Sequence, residues 1–185
     1  MAEADKAGEE LPVPIDDGAC DHLRRRRVPA MPLASTAGEK VDLSTLKGTS
    51  VVYVYPRIGH PDQPPGPEWA GIPGAKGCTP EACGFRNHNL EWRALGVRVF
   101  GLSAQPLAEQ HEAHERLGLT FDLLNDSDLA FATALELPTF EFKGQTYIQR
   151  LTLVVEKGVI TKVFYPVFPP GEHAAEVAAW LEGNR

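Results

Sequence analysis

Two of the three cysteines in this chain, Cys78 and Cys83, lie five residues apart in the segment 77–83 (GCTPEAC). Proline is favoured at the first helical position, so Thr79-Pro80 marks a helix start. Cys78 then sits at the helix N-terminus, where unpaired N–H groups and the macrodipole favour an anion. For cysteine that anion is the thiolate, the nucleophilic form, and a lowered pKa is expected. Cys83 falls inside the helix. A five-residue helical step separates Cα atoms by about 8 to 9 Å, on different faces. A disulfide needs about 7 Å or less. Joining the two sulfurs therefore requires the first turn to unwind, and the pair reads as a redox couple with a built-in local unfolding step. Other readings stand beside it. Cys83 alone would suit a core position, as free cysteines commonly do. Cys78, Cys83 and His88 match zinc ligands in type, but a C-x2-C pair and a fourth ligand are missing, so no metal is expected. Cys20 lies in a polar stretch and reads as a bystander, although mobility there would let it resolve a disulfide.

Such a helix needs strands to hold it. Residues 51–55 (VVYVY) are β-branched and aromatic without polar alternation, as in a strand buried on both faces. Residues 97–102 (VRVFGL) form a second such strand. The helix between them, closed by Gly96, makes a βαβ unit with a right-handed crossover. Upstream, two short runs around residues 36–39 read as a hairpin. Downstream come a helix at 106–117 with Ser103 as its cap, a short strand at 121–124, and a helix from Ser127 or Asp128 to about Leu135. Strand-like runs follow at 139–142 and 147–155, then a tight turn at 155–159 into ITKVFYP. Residues 171–185 read as an amphipathic helix with Ala175, Val177, Ala178 and Leu181 near one face. The pattern predicts an α/β three-layer sandwich over a central mixed sheet. Its boundaries are an irregular arm over residues 1–30 and a single domain over 31–185.

Composition excludes several classes. The 185 residues carry 25 acidic and 18 basic side chains, a net charge of -7 that argues against nucleic acid as a partner. The run Arg24 to Arg27 stands near Asp16, Asp17 and Asp21 and reads as solvated or internally paired. No apolar run is long enough to span a bilayer. Residues 1–10 (MAEADKAGEE) lack the charged and apolar regions of a secretory signal. A cytoplasmic protein is the expectation, in which a disulfide would be transient or catalytic.

The segment GCTPEAC after the strand VVYVYP, with the later RLTLVVEKGVITKVFYP, resembles the peroxiredoxins, particularly the Q-type (bacterioferritin comigratory protein) branch. The resemblance runs from about residue 33 to the C-terminus in element order. It implies a thioredoxin-like fold with an N-terminal β-hairpin. It also implies a thiol-dependent peroxidase of hydrogen peroxide or organic hydroperoxides, with no metal, haem or flavin cofactor. By this resemblance Cys78 is the peroxidatic cysteine, oxidised to a sulfenic acid. Cys83 is the resolving cysteine, which condenses with it to an intramolecular disulfide. Arg150 is the arginine that holds the thiolate and the peroxide oxygens, and Glu81 the glutamate that orients it. Pro56 is the proline that opens the P-x-x-x-T-x-x-C motif. Thioredoxin or a similar dithiol would reduce the disulfide, and monomers and homodimers both occur in the family.

The departures from the family pattern are specific. Pro56 precedes Cys78 by 22 positions against seven in the motif, so about fifteen residues are inserted. Ala75 stands where the motif has threonine; Thr79, Tyr55 or a main-chain group could replace that hydroxyl. A redox sensor or binding module with little turnover is the rival reading. A general thiol-disulfide oxidoreductase is a third, but C-x4-C lacks the ready closure of C-x-x-C. The Pro/Gly-rich insertion, residues 57–77, is either a passive surface excursion or a functional loop. In the second case it packs beside Cys78, with Trp69 and Ile72 as an apolar wall for an organic hydroperoxide. His60 in that loop could approach the site. Arg86 could pair with an acidic neighbour, His111 and His114 read as a polar helix face, and Phe168 as a core residue.

Overall fold

The two buried strands do pair side by side, at the middle of a seven-stranded sheet. The computed structural model describes residues 10–184; the first nine residues of the arm and Arg185 lie outside the described residues. β1 (Pro32–Ser35) and β2 (Lys40–Asp42) make the expected hairpin, and β3 (Thr49–Val54) carries the VVYV run. A single turn in the insertion, α1 (Pro67–Ala70), precedes the long α2 (Cys78–Ala94) and β4 (Val97–Ser103). Then come α3 (Leu107–Leu117), β5 (Asp122–Asn125) and α4 (Ala130–Leu135). β6 (Thr139–Phe142) and β7 (Gln145–Ile148) form a separate two-stranded hairpin. β8 (Leu151–Glu156), β9 (Val159–Phe164) and α5 (His173–Gly183) complete the chain.

The sheet order is β2-β1-β5-β4-β3-β8-β9. β3, β4 and β5 run parallel, and the remaining pairs are antiparallel, so the sheet is mixed as expected. Period-2 alternation divides the VVYVY run between two cores. Val51, Tyr53 and Tyr55 pack with Cys78, Ala82 and Phe85 of α2 and with Val177 and Leu181 of α5. Val52 and Val54 pack on the other face with Phe131 and Leu135 of α4. There the arm supplies much of the third layer: Leu23 and Val28 are buried beside Cys20. From residue 10 onward the arm is irregular but packed, and Cys20 is buried in it, which disfavours a resolving role.

Four local readings change. The run 147–155 is two strands in different sheets, broken at Gln149 and Arg150. Ser103 ends β4 and does not cap α3, whose N-cap is Pro106. α4 starts later than expected, and Asp126 accepts from the N–H groups of Phe131 (2.8 Å) and Ala132 (2.9 Å). The buried face of α5 holds Val177 and Leu181, with Ala178 partly buried on the same core, as expected, but Ala174 is buried in place of the exposed Ala175. Among the described residues no helix is long and apolar enough to cross a membrane.

Candidate active site

α2 begins at Cys78 itself, so Pro80 is its third residue and not its first. Gly77 is the N-cap, with φ of +110°, a conformation that side-chain-bearing residues rarely adopt. A Cβ there would also lie 2.8 Å from Cγ of Pro170, in the turn that leads into α5. Gly77→Ala should therefore cost about 1–3 kcal/mol, from backbone strain and crowding together. Urea denaturation measures this, and an unchanged midpoint would contradict the assignment.

Cys78 is buried and Cys83 half-buried, both as free thiols within one unbroken helix. Glu81 follows Cys78 by three positions, hence one helical turn along the same face. Arg150, at the break between β7 and β8, reaches both from across the fold. Its Nη2 donates to Cys78 Sγ at 3.1 Å, and its Nη1 donates to Glu81 Oε2. The rest of the fork is held by the end of the insertion. Nη2 donates to the carbonyls of Ala75 (3.2 Å) and Lys76 (3.4 Å), and Nε donates to that of Gly74 (3.2 Å). The Cys78 thiol itself points at the Ala75 carbonyl, 3.7 Å away. The main-chain N–H of Arg57, just after the buried Pro56, also favours the ionised sulfur.

Glu81, Arg150 and Cys78 are almost wholly enclosed, which sets their electrostatics. Burial pushes the Glu81 carboxyl up to about 7, against the pull of Arg150. Its second oxygen, Oε1, is buried without a hydrogen-bond partner among the described residues, consistent with a carboxyl that resists ionising. Burial also pushes the Cys78 thiol up; Arg150 opposes this, Glu81 adds to it, and the Arg57 amide opposes it. The net displacement is upward. The lowered pKa expected from the helix terminus is thus corrected, because desolvation outweighs the favourable charges. For Arg150, burial opposes the charge, but Cys78 and Glu81 hold the guanidinium protonated above its ordinary range.

One cation here faces two acids that compete for it. Moving a proton from Cys78 to Glu81 leaves the site's net charge unchanged, so the two groups titrate together. Glu81→Gln removes one upward influence on the sulfur and leaves Arg150 to it alone. The pH midpoint for alkylation of Cys78 should fall by about one unit, which corresponds to about 1.4 kcal/mol. Mass spectrometry of the Cys78 peptide in a Cys83→Ser background measures it. A midpoint that stays put or rises would contradict the competition.

The other sequence candidates separate cleanly. The Tyr55 hydroxyl is engaged with Gln110 (3.4 Å) and Ser103, on the side of α3. Thr79 is half-buried in the first turn of α2. Against the sulfur and guanidinium stands the main-chain carbonyl of Ala75. Trp69 is buried against Phe140, Phe142 and Tyr147, so it fastens the insertion to the β6–β7 hairpin. His60 sits between Glu112 (3.6 Å) and Asp62 (3.7 Å). Arg86 donates to the Leu117 carbonyl and to Asn87, and among the described residues to no acid. Arg26 pairs with Glu136 at 2.8 Å. Phe168 is 40% exposed, not a core residue, because it lies in the loop beyond β9. Reading side chains missed the Arg57 amide and the carbonyls of residues 74–76. Main-chain groups carry no residue-type signature; the two glycines that flank Ala75 and Lys76, both at positive φ, were the available hint.

The Redoxin family model matches residues 8–180. A bcp peroxiredoxin of Coxiella burnetii is 32% identical over 164 residues, covering 84% of this chain and 96% of that protein. Peroxiredoxin Bcp of Escherichia coli is 30% identical over 159 residues, covering 83% of this chain and 92% of that protein. Among solved structures, peroxidoxin BcpB from Mycobacterium tuberculosis superposes with a TM-score of 0.71 at 23% identity, covering 88% of this chain and 98% of that one.

Proposed function

The chain belongs to the redoxin family, as a Q-type peroxiredoxin and thiol-dependent peroxidase, and on that premise we propose that Cys78 is its peroxidatic residue. The Cys78 thiolate attacks the distal oxygen of a hydroperoxide. The O–O bond breaks, the sulfur becomes a sulfenic acid, and the departing alkoxide or hydroxide takes up a proton. Arg150 binds the thiolate and the oxygens along which charge develops, and Glu81 orients Arg150. The carbonyls of Gly74, Ala75 and Lys76 accept from Arg150 and hold its fork in place; as acceptors they do not supply the hydrogen bond that the motif threonine would donate. Cys83 then attacks the sulfenic sulfur once the first turn of α2 has unwound, forming the Cys78-Cys83 disulfide and releasing water. Thioredoxin or a similar dithiol reduces that bond by exchange.

The observation that supports this reading best is the 3.1 Å contact of Arg150 Nη2 with Cys78 Sγ at the start of the helix that also holds Cys83. The experiment is substoichiometric peroxide on Cys83→Ser protein with a sulfenic-acid trap. The adduct is expected on the Cys78 peptide, and its absence would sink the assignment. Steady-state peroxide consumption with a thioredoxin system separates this role from a sensor with little turnover.

A further inference from the structure

Three successive carbonyls, those of Gly74, Ala75 and Lys76, turn to the Arg150 guanidinium whose Nη2 reaches Cys78 Sγ at 3.1 Å. Convergence of this kind needs a fixed backbone. Yet the segment that supplies it is bounded by two glycines at positive φ, Gly74 (+79°) and Gly77 (+110°). Glycine leaves a chain free to adopt many conformations, so packing must remove that freedom. At the Gly77 end the packing partner is Pro170. At the Gly74 end it is the N-terminal arm: a Cβ on Gly74 would meet Cβ of Pro14 at 3.9 Å and Cγ of Pro14 at 4.0 Å.

The arm continues along the same segment. Leu11 and Pro12 share a shallow cavity with Ile72, Gly74 and Lys76. Pro14 lines the next one, together with Pro73, Gly74, Gln149, Arg150 and Tyr165. Its side chains alternate: Pro12 and Pro14 are half-buried, whereas Val13 is 62% and Ile15 82% exposed. Proline locks φ near about −65°, so the strip is stiff before it docks and loses little freedom in docking. Its far end is tied down. The Tyr165 hydroxyl stands 2.9 Å from Asp17 Oδ1 and 2.9 Å from Oε1 of Gln149, the residue before Arg150. Beyond that tie Cys20 is buried in the core.

We propose that residues 11–17 of the arm are a strap that positions Arg150 against Cys78, with Pro14 as the positioning residue that holds the Gly74 end of the carbonyl segment in place. The strap touches neither sulfur nor peroxide and acts through the carbonyls that hold the guanidinium fork. The inference rests on the role given to Arg150 above and adds what keeps that side chain aimed.

The test uses the full chain carrying Cys83→Ser and compares Pro14→Gly with Val13→Ser, an exposed neighbour on the same strip. Pro14→Gly should raise the pH midpoint for alkylation of Cys78 by about half a unit, because a displaced guanidinium stabilises the thiolate less. It should also slow sulfenic acid formation with hydrogen peroxide by about tenfold, the scale of a small misplacement at a reacting centre. Val13→Ser should leave both unchanged. In the Glu81→Leu/Arg150→Met background Pro14→Gly should have no further effect on either, since the group it acts through is gone. The same holds in Arg150→Lys, which keeps the charge and loses the fork, so the test survives a background that fails to fold. A midpoint that stays put or falls in Pro14→Gly would overturn the proposal. So would an equal shift in Val13→Ser, or a shift that persists undiminished without the Arg150 fork. Alkylation needs no turnover: a wild type that consumes no peroxide would sink the peroxidase reading, and the midpoints would still judge the strap.

Discussion

Arg150→Met should lower kcat/KM for hydrogen peroxide by about 10²- to 10³-fold, the usual cost of removing one oriented donor from a developing charge. The variant should also lose about 3–5 kcal/mol of stability, since Glu81 is fully enclosed and loses the cation that faces it. The pH dependence of that second effect has a definite sign. The Glu81 carboxyl in the folded protein lies at about 7, above the usual carboxylate value. A raised carboxyl favours folding while it is neutral and costs stability as pH rises from its unfolded value of about 4.3 through its folded one. Without Arg150 nothing offsets the ionised form. The deficit should therefore be larger at about pH 8 than at about pH 5, as denaturant unfolding at both would read. The double variant Glu81→Leu/Arg150→Met separates the two effects. Its stability should recover, because no buried charge remains, and its rate should not. A well-folded double variant with wild-type turnover would refute the role given to Arg150.

Cys83→Ser should stop the cycle after one turnover. The first reduction of peroxide depends on Cys78 and Arg150 and should keep its rate within about threefold, whereas steady-state consumption with a thioredoxin system should fall at least about 100-fold. The helix geometry adds a structural signature. Both thiols lie on an intact α2, so the oxidised wild type must give up its first turn. Amide exchange over residues 79–86 should rise on oxidation of the wild type and not of Cys83→Ser. Undiminished cycling in the variant would transfer resolution to another thiol. Cys20 is a poor substitute, because burial and then Asp17 push its pKa up to about 12. Its thiolate is scarce at neutral pH.

Much of the fold was legible because its signals are short-range. The VVYVY run reads as a doubly buried strand from five consecutive residues, and β3 lies between two packed layers. Failures came where a contact from elsewhere overrode a local pattern. Residues 147–155 look like one strand, yet the first half pairs with β6 and the second with β3. The start of α4 was misread because its donors are met by Asp126, several residues upstream. In the site, Glu81 and Arg150 were named only from the family resemblance, whereas Cys78 and Cys83 were legible by residue type and spacing. The cradle of carbonyls at 74–76 and the amide at 57 were not, since backbone groups look alike at every position.

The sequence by itself determined that Cys78 begins a helix and that Cys83 rides on it out of bonding reach. Helical spacing is a local geometry of 3.6 residues per turn, so neighbours along the chain suffice to specify it. Only the tertiary structure decided what charge those thiols face. Arg150 comes from 72 positions away to within 3.1 Å of Cys78 because β8 pairs with β3 beneath the start of α2. Enclosure of the sulfur, the glutamate and the guanidinium in one buried space is a property of the packed layers. That enclosure, not the helix terminus, sets the direction in which the thiol's pKa moves.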